Sequence, residues 1–249
     1  MGEMTDAELA ARAAKAAGKL LMELRGGSLL SGPAMGTAGD LLANHLILAA
    51  LKQWRPDDAI LSEESPDRPD RLAKSRVWIV DPLDGTREYV EGRDDWAVHV
   101  ALSIDGAPAA GAVAMPTRAR LFRSDDAATT GVELKRRPVL LVSRTRRPPE
   151  AEALAASLGA ELRAMGSAGA KAMAVVSGEA DIYFHSGGQH EWDNCAPVAV
   201  AKGAGLHVSR RDGSAILYNQ ERPFVPDLLI CRPEWARAAL DALSVAGRG

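Results

Sequence analysis

Cysteine is scarce: the 249 residues hold two, Cys195 and Cys231. That is too few for a disulfide framework and fits a reducing compartment. No unbroken apolar run approaches the ~18 residues of a membrane span. The opening "MGEMTDAELAARAAK" is acidic and lacks the apolar centre of a secretory signal. A cytoplasmic protein without a membrane partner is therefore expected. A basic excess is also missing. The net charge of −3 argues against general nucleic-acid binding. One local exception, Lys135, Arg136, Arg137, Arg144, Arg146 and Arg147, brackets the strand-like "PVLLVS" and reads as a solvated surface. There is no Gly-Lys-Ser/Thr for a P-loop and no Gly-x-Ser-x-Gly nucleophile elbow. What remains is an ordinary globular composition, 47% hydrophobic and 25% charged. It suffices for one large domain or two packed halves.

The pattern begins with helices. Over residues 6–25, Leu9, Ala13, Ala17, Leu20 and Leu24 fall on one stripe. Thr5 with Glu8 forms a capping box, and Gly26-Gly27 a stop. The glycine-rich "GGSLLSGPAMGTAG" then reads as a mobile loop, and a second helix opens at Asp40 and ends before Pro56. From residue 77 short strands alternate with turns: "VWIVD", "WAVHVALSI", "AAGAVAM", "ARLFR", "PVLLVS". A helix is expected near 149–158, another at "GAKAMAVVSG", a strand at "ADIYF" and a helix at "CAPVAVAKGAG". Strands "LHVS" and "DLLIC" and a terminal helix "PEWARAALDAL" follow. The class is mixed α/β, with helices outside and sheets inside. A soft boundary near 125–137 divides an N-terminal part, 1–130, from a C-terminal part, 131–249.

The chemistry concentrates in "VWIVDPLDGTREYVEG". A buried-looking strand runs into Asp81 and Asp84, with Gly85-Thr86 at a probable helix start. Two carboxylates this close repel unless a cation lies between them. The backbone N–H groups at Gly85 and Thr86 suit phosphate oxygens. A hard, oxygen-seeking ion such as Mg2+ binds where carboxylates meet phosphate. Further acids lie elsewhere: Glu63 and Glu64 in "AILSEES", Asp193 in "EWDNCAP" just ahead of a helix, and Asp40. Taken singly, Asp40 and Asp193 suit helix caps, and Glu63 and Glu64 a solvated acidic stretch. Together with the Asp81–Asp84 pair they suggest metal-assisted phosphoryl chemistry.

"DPLDGT", with "SEES" upstream, "EWDNCAP" downstream and "TAGD" at 37–40, resembles the lithium-sensitive, magnesium-dependent phosphatase superfamily. That superfamily holds inositol monophosphatases, fructose-1,6-bisphosphatases and 3'(2'),5'-bisphosphate nucleotidases. The motifs stand in family order. The resemblance implies a layered α-β-α-β-α sandwich and two or three Mg2+ ions. Glu63, Asp81 and the Leu83 carbonyl would hold the first ion; Asp81, Asp84 and Asp193 would hold the second. A third would lie near Glu63 and Asp40. Gly85 and Thr86 would take the phosphate, and Thr86 paired with Asp40 would activate the attacking water, supported by Glu64. Dimers are common in the superfamily, so a homodimer is possible.

Substrate choice falls to the C-terminal part. "GSAGAK" resembles the Gly-Ser-Ser-Leu-Lys turn of the CysQ-type nucleotidase branch, with one residue more between Gly and Lys. Ser167, Lys171 and Glu191 are the implied substrate residues, Lys171 meeting a second phosphate. Lys171 as a solvent-facing helix residue is the plainer reading. "SGPAMGTAGD" lacks the lysine that many members carry before Thr-x-x-Asp. The implied activity is removal of the 3'-phosphate of 3'-phosphoadenosine 5'-phosphate, a by-product of sulfate activation in sulfur assimilation. The alternative is an inositol monophosphatase, or a broad sugar phosphatase that also takes fructose 1,6-bisphosphate. A non-catalytic regulatory protein on the same fold would have lost one of Glu63, Asp81, Asp84, Thr86 or Asp193, and all five are present. Zinc at His185, His190 and Cys195 is disfavoured by Asp193 among them. Arg222 carries no assignment. A redox role for Cys195 would act by disturbing Asp193.

Overall fold

The computed structural model describes residues 4–126 and 137–246. The expected boundary at 130/131, and Lys135 and Arg136, lie outside the described residues. Helices α1 (Asp6–Gly26) and α2 (Gly32–Trp54) come first. A sheet in sequence order follows: β1 (Ala59–Ser62), β2 (Arg76–Asp84), β3 (Ala97–Ile104), β4 (Ala107–Met115) and β5 (Arg120–Arg123). A short α3 (Thr86–Val90) sits between β2 and β3. β1 runs parallel to β2, and the other neighbours are antiparallel.

The rest of the chain gives β6 (Val139–Ser143), α4 (Glu150–Leu158), β7 (Glu161–Met165), α5 (Ala168–Val176) and β8 (Ile182–His190). Then come α6 (Glu191–Gly203), β9 (His207–Ser209), β10 (Phe224–Cys231) and α7 (Pro233–Ala246). Their sheet has the order β7-β6-β8-β10-β9.

Strand alternation assigns the layers, because neighbouring side chains point to opposite faces. In β2, Trp78 and Val80 pack beneath α1 and α2, while Val77 and Ile79 face the interior helices. In β6, Leu140 and Val142 pack under α4 and α7, while Val139 and Leu141 face α5 and α6. The outcome is the expected five-layer α-β-α-β-α sandwich, with α5 and α6 between the sheets. Fully buried Leu21, Ile47 and Leu51 each contribute about 1.5–3 kcal/mol of apolar burial.

The capping box at Thr5 and Glu8 forms as read, with both hydrogen bonds at 3.1 Å. The buried stripe continues through Leu21, the next member of the i+4 row from Leu9, in place of Leu20, with Leu24 partly buried against the same core. The glycine-rich segment is not a loop from end to end. α2 starts at Gly32, with Pro33 in its first turn, where a missing N–H costs nothing. Its glycines permit close packing. A Cβ at Gly36 would lie 2.9 Å from Val90 Cγ2 and 3.0 Å from Thr86 Cγ2; one at Gly39 would lie 2.9 Å from Leu21 Cδ2. α2 is long and apolar enough to cross a membrane by length and composition. Here it packs on α1 and β2 and carries the buried polar Asp40 and Asn44.

Candidate active site

Asp81 and Asp84 are three residues apart, and a regular strand would point them to opposite faces. The β2–β3 register shifts between them: Asp81 pairs with His99, and Asp84 with Ala97. One extra residue on β2 resets the alternation, so both acids face the same side. Gly85 then turns the chain at φ +90°, a conformation glycine adopts without strain, and opens α3. Asp193 arrives from α6. It lies inside the first turn of that helix, not ahead of it, and its Oδ2 accepts the His190 N–H at 2.7 Å. Oxygens of Asp81, Asp84 and Asp193 lie within 4.8 Å of one another.

Asp40 likewise sits inside α2 rather than at its start. The close approach at Gly36 and Gly39 brings it to Thr86, whose hydroxyl lies 3.3 Å from Asp40 Oδ2 and 3.2 Å from the Leu83 carbonyl. Asp40 Oδ1 is buried with no donor. Glu63 and Glu64 follow β1, in a turn pinned by Asn44 on α2. Asn44 accepts from Ser62 Oγ at 2.8 Å and donates to Ser65 Oγ at 3.0 Å and the Glu64 carbonyl at 3.3 Å. The sequence reading did not single out Asn44, although it stands one turn after Asp40.

The acids are under electrostatic pressure. Burial, then Glu64, pushes Asp40 up to about 7, against the Thr86 hydrogen bond. Glu63 is open to solvent as a residue, but its carboxyl end is desolvated and faces Asp193, and it too rises to about 7. Burial and then Asp84 push Asp193 to about 6. Asp81, buried beside Glu63, Asp84 and Asp193, is held well above the carboxylate range. Four acids resisting ionisation, with an orphaned carboxylate oxygen among them, fit a hard divalent cation.

Asp84 differs. Burial works against its charge, but His99, Ser167 and Gly169 outweigh it and bring Asp84 down to about 2. The Ser167 hydroxyl donates to Oδ2, as does the Gly169 N–H at 2.7 Å, while the Ala168 N–H reaches Oδ1 at 3.2 Å. His99 Nε2 lies 3.2 Å from Oδ2 without hydrogen-bond geometry. The N-terminus of α5 therefore grips this carboxylate. Ser167 holds φ +46°, outside the usual range for a non-glycine residue, and its Oγ also accepts from Ala170.

Four expected residues have other partners or surroundings in the structure. Ser167 was expected to meet substrate, but its hydroxyl is committed to Asp84. Lys171 neither faces solvent nor has donors to spare. Its buried ammonium donates to the carbonyls of Met165, Gly166 and Ser167, and burial lowers its pKa to about 8. It stabilises the turn before α5. Glu191 is fully buried and accepts the N–H groups of Asn219 at 2.7 Å and Gln220 at 2.8 Å, anchoring that turn rather than a ligand. Cys195 lies in the interlayer core with its thiol raised by burial, which removes the redox reading.

A cleft of about 170 Å3 adjoins the acids. Asp84, Asp193 and Gly85 line one part; Arg144, Arg146, Lys171 and His185 line another. Arg144 and Arg146, from the arginine cluster read as solvated surface, therefore line this cleft. Arg144 pairs with Glu88 at 2.7 Å and Glu91 at 3.0 Å.

The chain matches the inositol monophosphatase family over residues 4–244 and belongs to it. A protein of Mycobacterium leprae named 3'-phosphoadenosine 5'-phosphate phosphatase is 49% identical over 97% of this chain and 94% of its own. One of the same name from Mycobacterium tuberculosis is 48% identical over 93% and 91%. The crystal structure of CysQ from Bacteroides thetaiotaomicron superposes with a TM-score of 0.80 at 24% identity, covering 92% of this chain and 97% of that one, a likeness of fold.

Proposed function

We propose, with that membership as premise, that the protein is a divalent-cation-dependent phosphomonoesterase. It removes the 3'-phosphate of 3'-phosphoadenosine 5'-phosphate to give AMP and inorganic phosphate. The carrying observation is the convergence of Asp81, Asp84 and Asp193 within 4.8 Å in a chain nearly half identical to relatives named for that reaction.

Glu63, Asp81, the Leu83 carbonyl, Asp84 and Asp193 would hold Mg2+, two ions or three, the third near Asp40. Magnesium, when bound, offsets the charge on the phosphoryl oxygens and makes water a competent nucleophile at neutral pH. The chain's own residues do the rest. Gly85 and Thr86 offer backbone N–H groups to the phosphate. Asp40 Oδ2 accepts the Thr86 proton, leaving the Thr86 lone pairs to accept a proton from the attacking water. The Leu83 carbonyl has a second lone pair beyond the one facing Thr86. Burial, and then the charge of Glu64, keeps Asp40 basic. Asn44 holds the Glu63–Glu64 turn against α2.

Phosphate release measured with Mg2+ on 3'-phosphoadenosine 5'-phosphate, inositol 1-phosphate and fructose 1,6-bisphosphate tests this reading. The expected result is the highest kcat/KM on the nucleotide, with inhibition by lithium. Comparable rates on all three would make the protein a broad phosphatase, and no release from any would reject catalysis.

A further inference from the structure

Charge in the cleft is unevenly balanced. At the end nearest the metal ligands stand Asp84 and Asp193. Arg144 is neutralised by Glu88 and Glu91. Lys171 spends its donors on three carbonyls. Arg146 is the exception: it lines the cleft, it is exposed, and its guanidinium forms no ion pair or hydrogen bond among the described residues. Its backbone is fixed, the N–H donating to Ser143 Oγ at 3.2 Å. Its charge is felt at Tyr183 and His185 on β8, across the cleft. His185 is 3% exposed. Its Nε2 faces the Gly188 carbonyl at 2.9 Å, and its buried Nδ1 has no partner.

A guanidinium that lines the cleft and has no acid partner among the described residues, beside a site that would hold a phosphate ester, is suited to a second anion. We infer that Arg146 is the specificity residue for the phosphate that is not cleaved: it binds the second phosphate of a bisphosphate ester in the cleft between the loop after β6 and the start of α5. This deepens the phosphatase reading and rests on it. The sequence reading gave that task to Lys171. Arg146 takes it because Lys171 is buried and engaged, whereas Arg146 has five N–H donors to offer.

The test compares adenosine 3',5'-bisphosphate with adenosine 3'-monophosphate, which shares the scissile group and lacks the second anion. In Arg146→Ala the KM for the bisphosphate should rise by about tenfold or more, the range expected for a lost charge-assisted hydrogen bond. Its kcat, and both constants for the monophosphate, should stay within about twofold. Arg146→Lys should recover part of the KM, and raising the salt should weaken bisphosphate binding in the wild type more than in Arg146→Ala. Unchanged melting temperatures would show that the exposed substitution leaves the fold alone. Equal losses on both substrates, or none on the bisphosphate, overturn the role of Arg146 and leave the phosphatase reading standing. A wild type that hydrolyses neither substrate overturns the phosphatase reading, and this inference with it.

Discussion

The Gly169 N–H donates to Asp84 Oδ2 at 2.7 Å, joining a strand end of the first sheet to the first turn of a helix between the sheets. The acid therefore has a structural bond as well as a place in the acidic cluster. Asp84→Asn would set an amide N–H against donors from Gly169 or Ala168. A stability loss of about 1–3 kcal/mol is expected, along with a loss of kcat of about 100-fold or more. Asp193→Asn faces only the His190 N–H. It should lose comparable activity at a smaller stability cost. Urea unfolding and kcat of the two variants check this; full turnover in Asp84→Asn removes that residue from the site.

Thr86 divides its hydroxyl between Asp40 and the Leu83 carbonyl. Thr86→Val keeps the shape against Gly36 but removes the hydroxyl on which the proposed proton relay depends. A kcat loss of about 10²–10⁴-fold is expected, the usual range for general acid–base groups. Thr86→Ser should retain most activity. Equal losses in both variants would point to packing, not chemistry.

The raised acids make a prediction about pH. In the folded, cation-free protein Asp40 and Glu63 titrate near 7 and Asp193 near 6, well above their unfolded values. Between about pH 4 and 7 the folded state binds more protons than the unfolded chain, so stability falls as pH rises through this window. Asp84, lowered to about 2, acts oppositely, but its contribution is lost only as pH falls below about 4. In chelator the melting temperature should therefore be lower at pH 8 than at pH 5.5. Magnesium should raise it at pH 8 far more than at pH 5.5, where protons compete for the same oxygens. A melting temperature indifferent to magnesium at pH 8 would contradict the cation site.

Lys171 holds the carbonyls of residues 165–167. Lys171→Ala leaves them unpaired in a buried turn and should cost about 1–3 kcal/mol. Because that turn orients the α5 N-terminus against Asp84, activity should fall equally on mono- and bisphosphate substrates. A loss confined to the bisphosphate would restore Lys171 as its direct contact.

The sequence singled out the Asp81–Asp84 pair, Glu63, Asp193 and Asp40, and the structure brings Asp81, Asp84 and Asp193 within 4.8 Å of one another; the five layers followed from the resemblance carried by those motifs. What stayed hidden were partnerships across long sequence separations. The glycines at 36 and 39 have the composition of a loop, and only the nearness of Thr86, Val90 and Leu21 explains them as helix contacts. Glu191 sits in the same motif as Asp193, yet a helix turns the two side chains apart, and Glu191 meets Asn219 and Gln220 instead. A lysine or arginine in sequence does not disclose which carbonyls or acids will occupy it. Lys171 proves engaged with three carbonyls, and Arg146, read as solvated surface, lines the cleft.

Phosphate release from 3'-phosphoadenosine 5'-phosphate, followed as the divalent cation is removed with chelator and magnesium is then restored, decides whether the acidic cluster works as a cation site. Release should stop in chelator and return with magnesium. Undiminished release in chelator would contradict it.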